Sequence, residues 1–136
     1  MSNKTSAKEW LTIAYHDLKS AQILFENDHY TDSIGNDLQQ AVEKILKSLI
    51  AYDNKQIKKS HDLVEVYNIV GNKIQFDNKE MEYLEKATTY SEEDRYPNSN
   101  YSLPPKEDIR EILEFTKILF RKVCKILDVD KDEVMK

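Results

Sequence analysis

Three stretches of this chain repeat apolar residues every three or four positions over roughly six helical turns each, a period that fits an α-helix and no strand. In the first, from about Ser6 to Asn27, the stripe is Leu11, Ala14, Leu18, Ala21, Leu24 and Phe25, widened by Trp10 and Tyr15. The second, Thr31 to Tyr52, carries Ile34, Leu38, Ala41, Val42, Ile45 and Leu49, with Asp32 or Ser33 available near its start. The third, Lys106 to Leu127, opens on Glu107 and Asp108, suited to a positive helix N-terminus, and carries Ile109, Ile112, Leu113, Thr116, Leu119, Phe120, Val123 and Leu127.

Two shorter patterns fill the interval. Ser60 or Asp62 caps a helix bearing Leu63, Val66, Tyr67 and Val70 and stopped by Gly71 and Asn72; a further helix from about Asn78 to Tyr90 buries Met81, Leu84 and Ala87. Pro97, Pro104 and Pro105 make 91–105 a long loop. With only two glycines and three prolines in 136 residues, the composition favours helix throughout. The expected fold is all-α: one domain spanning 1–136, an up-and-down bundle of four to five helices with its core at about 9–127. The charged, weakly periodic tail 128–136 is expected to fray. Gly35, inside the second helix, costs roughly 1 kcal/mol relative to alanine; it marks either a close approach by another backbone or a neutral position.

A net charge of −5 argues against bulk attraction to nucleic acid or an anionic membrane; Lys55, Lys58 and Lys59 are the nearest thing to a basic pocket. Cys124, the sole cysteine, sits among Val123, Ile126 and Leu127 and reads as a buried free thiol, which fits a reducing cytoplasm. Met1 to Lys8 lacks the apolar core of a leader, and no run approaches the length of a membrane span. His16, His29 and His61 lack the spacing of a metal site, and no cofactor is called for: there is no glycine-rich phosphate loop, Ser-His-Asp order or dinucleotide fingerprint.

Several short pieces then arrive in one family's order. Tyr15-His16-Asp17-Leu18 with Ala21, then Tyr30 and Gln39-Gln40-Ala41-Val42-Glu43-Lys44, then His61-Asp62-Leu63, and finally Arg95-Tyr96-Pro97 followed by Pro105, Glu107 and Asp108 together resemble a HEPN domain over roughly Glu9 to Leu127. The resemblance implies a helical bundle, often a homodimer, found beside minimal nucleotidyltransferases. Ribonuclease members of that family carry an Arg followed after four to six residues by a His, the Arg holding a phosphate and the His moving the proton of the attacking 2′-hydroxyl. Here Arg95, Arg110 and Arg121 all follow the last histidine, so that motif is absent. The resemblance therefore points to the branch that binds nucleotides or partners rather than cutting RNA.

The candidate binding residues are Gln40, Lys44, Lys47, His61, Arg95 and Tyr96, converging on a phosphate or nucleotide; no catalytic residue is assigned. The plainer alternative makes the lysines a solvated face, His61 a capping residue and Arg95 the partner of a local acid. Tyr90, Tyr96 and Tyr101 either stack a base or seal the bundle. Asp17 and Lys44 fit a half-buried pair across two antiparallel helices. Three functions remain in view: a noncatalytic nucleotide- or partner-binding module of a nucleotidyltransferase system, a structural homodimerisation module, and a divergent, toxin-like ribonuclease using Arg95 with Tyr101 or His61.

Overall fold

The computed structural model describes residues 2–92, 97 and 101–136. Among these, six α-helices follow one another: α1 (Lys4–Glu26), α2 (Thr31–Tyr52), α3 (Leu63–Val70), α4 (Asn78–Thr88), α5 (Lys106–Ile126) and α6 (Lys131–Val134). No strand occurs among the described residues, and the all-α expectation holds.

Local chemistry sets the helix starts. Asn3 caps α1, its side chain accepting from Ser6 N at 3.0 Å, while its own N–H donates to Tyr52 O at 2.8 Å and ties the start of α1 to the end of α2. Asp62, rather than Ser60, caps α3. Asp77 and Glu80 form a reciprocal capping box on α4. The helix ends follow a rule that periodicity does not reveal. Each of the three long helices is followed by a polar residue at positive φ, Asp28 (54°), Asn54 (56°) and Asp128 (53°). The next N–H in each case turns back to the last helical turn: His29 to Leu24 O, Lys55 to Ile50 O and Val129 to Cys124 O. These are Schellman closures with Asx residues in glycine's usual place.

α2 is the axis of the bundle, packed against α1, α3, α4 and α5, with fourteen of its 22 residues buried. Leu11, Leu38, Ile45, Leu49, Ile112 and Phe120 are among the fully buried side chains, each contributing about 1.5–3 kcal/mol through burial. Gly35 is explained by a side chain, not by another backbone: a Cβ there would lie 2.8 Å from Cγ of Tyr90, whose ring rests on α2. Tyr90 thus seals the bundle, being 7% exposed.

The expected frayed tail is instead docked. Val129 and Val134 are buried, Lys8 pairs with Glu133 at 2.7 Å, and the His16 ring Nε2 lies 2.8 Å from the Lys136 backbone oxygen. The two valines complete an apolar face on the far side of the closing turn, a signal too short for a helical period to register.

A polar pocket on the central helix

A polar stripe runs along α2 at four-residue steps, Gln39, Glu43 and Lys47, on a helix otherwise dominated by apolar contacts. All three are buried, and they satisfy one another in series. Gln39 Nε2 donates to Glu43 Oε1 at 3.0 Å and to the His61 carbonyl at 2.9 Å; Lys47 Nζ donates to Glu43 Oε2 at 2.8 Å. The Lys47 ammonium also sits 5.6 Å from the centre of the Trp10 ring on α1. Gln40 extends the chain outward, its Nε2 donating to Gln39 Oε1 at 2.8 Å.

Glu43 and Lys47 of this stripe, with Gln40, form one wall of a cavity of about 490 Å³, a size suited to a small molecule. Gln40, Glu43 and Lys47 come from α2; Lys59, Ser60 and His61 come from the segment entering α3; Ser91 and Glu92 follow α4. The α3 side is held firmly. Ser60 Oγ accepts from Asp62 N and donates to Glu65 Oε2, Lys58 pairs with Glu65, and Lys58, chiefly through its hydrogen bond, holds the Glu65 carboxyl below its usual range. On the other side, Glu92 N donates to Asn36 Oδ1 at 2.8 Å.

Of the residues marked out by sequence, Gln40, Lys47 and His61 therefore meet in one cavity. Lys44 does not join them. Consecutive helical positions diverge by about 100°, and Lys44 turns toward α1, where its Nζ lies 2.6 Å from Asp17 Oδ2, as the facing-pair reading expected. Arg95 and Tyr96 lie outside the described residues. Tyr101 donates to Asp32 Oδ2 near the start of α2 and does not line the cavity. The basic trio also separates: Lys55 Nζ donates to the Ile69 and Val70 carbonyls at the end of α3, Lys58 pairs with Glu65, and Lys59 alone reaches the cavity.

Beside the Asp17–Lys44 pair, Asp37 accepts from Ser20 Oγ at 2.9 Å. Burial pushes its carboxyl above the usual value, Ser20 opposes that, nearby Asp17 adds to it, and Lys44 and His29 draw it back. Among the described residues the cavity is lined by the closed Glu43–Lys47 pair, the Lys59 ammonium, the Glu92 carboxylate, the Gln40 amide, two serine hydroxyls and the His61 imidazole. No group of His, Cys, Asp and Glu among the described residues is arranged to hold a metal.

A family model described as HEPN domain matches residues 7–127. The crystal structure of TT1696 from Thermus thermophilus superposes with a TM-score of 0.73 at 22% identity, covering 88% of this chain and 97% of that one. At that identity the likeness concerns the fold alone. The comparison with curated proteins gives no match.

Proposed function

The chain belongs to the HEPN domain family, and from that premise we propose that it is a noncatalytic binding module, taking a nucleotide in the polar pocket of α2 and working beside a minimal nucleotidyltransferase. One observation carries the reading: Gln40 and Lys47 of α2 and His61 of the segment before α3 line a single cavity of about 490 Å³. The absence from the sequence of an Arg followed at close spacing by a His removes the pairing that ribonuclease members use to cleave RNA. Homodimerisation is part of the same proposal and comes from the family resemblance.

Thermal unfolding with added nucleotides tests it. A ligand held only by the folded state contributes about 2.7 kcal/mol at a hundred times its dissociation constant, a readily measured shift. The shift is expected in the parent protein and in Lys44→Ala, whose lysine lies off the cavity, and is expected to vanish in Gln40→Ala. A shift that survives Gln40→Ala moves the site elsewhere; no shift with any nucleotide leaves the module a protein-binding one.

A further inference from the structure

We propose that the cavity is built for a nucleoside or nucleoside monophosphate and discriminates against nucleoside triphosphates, an inference that rests on the nucleotide reading above. The first observation is charge. Among the described lining residues, two carboxylates, Glu43 and Glu92, are matched by two ammoniums, Lys47 and Lys59, so their formal charges balance. One ammonium is already committed, because Lys47 is held by Glu43 at 2.8 Å and buried with it. Among the described lining residues, Lys59, which is exposed, is the cation left to meet an incoming phosphate.

The second observation concerns the backbone. Polyphosphates are commonly cradled by unspent N–H groups at a helix N-terminus. The helix that begins beside this cavity has none to offer. Leu63 N donates to Thr88 Oγ1 at 3.0 Å, and Val64 N and Glu65 N donate to Asp62 Oδ1 at 3.0 and 3.3 Å. Asp62 N is likewise taken by Ser60 Oγ at 3.1 Å. A polyphosphate entering here meets Glu92 and a helix start whose own aspartate occupies the anion position.

What the wall does offer is a hydrogen-bonding edge whose carboxylate and ammonium are already paired with each other. Gln40 spends an N–H on Gln39 and retains its carbonyl oxygen; Lys47 spends one of three N–H donors on Glu43. Adjacent donors and acceptors of this kind match the edge of a nucleobase, where a buried polar group left unpaired is costly and selectivity follows. The base therefore sits against Gln40, Glu43 and Lys47, and a single phosphate reaches Lys59.

Titration calorimetry of the full chain with the four common nucleosides, their monophosphates and their triphosphates distinguishes the outcomes. The expected result is a monophosphate bound about tenfold or more tighter than its triphosphate, with Lys59→Ala weakening the monophosphate about tenfold and leaving the nucleoside unchanged. Because Lys59 is exposed, that variant folds. A triphosphate bound as tightly as the monophosphate overturns this inference and leaves the nucleotide reading standing. Failure of every nucleoside and nucleotide to bind overturns both. Equal weakening of nucleoside and monophosphate in Lys59→Ala overturns the placement of the phosphate.

Discussion

Tyr90 lies across the backbone of α2 at Gly35, so close that a Cβ on residue 35 would stand 2.8 Å from the ring's Cγ. In most helices a glycine-to-alanine change gains roughly 1 kcal/mol. Here the added methyl forces the ring or the helix to move, a type of overpacking that typically costs about 1–3 kcal/mol. Gly35→Ala is therefore expected to be destabilising, measured as a lower urea midpoint at unchanged slope. In a Tyr90→Ala background the same change is expected to stabilise, and the two signs together identify the ring as the cause.

Glu43 and Lys47 answer one another inside the bundle at 2.8 Å. Removing one member of a buried pair strands the other, so Glu43→Gln and Lys47→Met are each expected to lower unfolding free energy by roughly 3 kcal/mol. The double variant leaves no stranded charge and is expected to lose less than the sum. Chemical denaturation of the three variants gives the coupling directly; simple additivity would falsify the pairing as an energetic unit.

Asp37 gives a pH dependence of definite sign. With its carboxyl raised above 3.8, chiefly by burial, the native state binds the proton more readily than the unfolded chain. Its contribution therefore favours folding at low pH, falls as pH rises from 3.8 through the raised value, and remains unfavourable at neutral pH. Asp37→Asn keeps an oxygen for Ser20 and removes the charge. It is expected to raise the melting temperature at pH 7 and to change it little near pH 3; the opposite ordering would count against burial as the cause.

Cys124 is 3% exposed, and burial pushes its thiol up to about 11, partly opposed by Lys131. Since the thiolate is the reactive form, a disulfide reagent at pH 8 is expected to label the native protein only through unfolding. Labelling rates measured across a urea series should track the unfolded fraction. Rapid labelling in the absence of urea would place the thiol at the surface.

The long helices were legible because their apolar period runs for many turns: α2 begins and ends at the expected residues, α5 ends one residue before Leu127, and α1 starts two before Ser6. Their closures were not, since Asp28, Asn54 and Asp128 act as single residues whose φ no period encodes. The Asp17–Lys44 pair was readable from antiparallel packing, Gln40 and His61 from the family pattern, and Lys47 from its place on the same helix. Gln39 and Glu43 carried a usable sign, a polar run at four-residue steps with Lys47 that shares the buried side of α2. Ser91 and Glu92 carried none, because only the tertiary fold brings the end of α4 to α2. Lys55 looked like a ligand cation and proves to close α3, a role set by where two carbonyls happen to end.

The helix that forms the wall of the cavity is also the one around which everything else is packed. In the proposed binding module, recognition and folding are thus written into the same residues, and Gln39, Glu43 and Lys47 cannot drift without endangering the whole chain. Lys59 and Glu92, exposed at the margin, are under no such constraint. Divergence of ligand preference, in nature or in a directed library, is expected to proceed from the margin inward, with the buried wall inherited nearly intact.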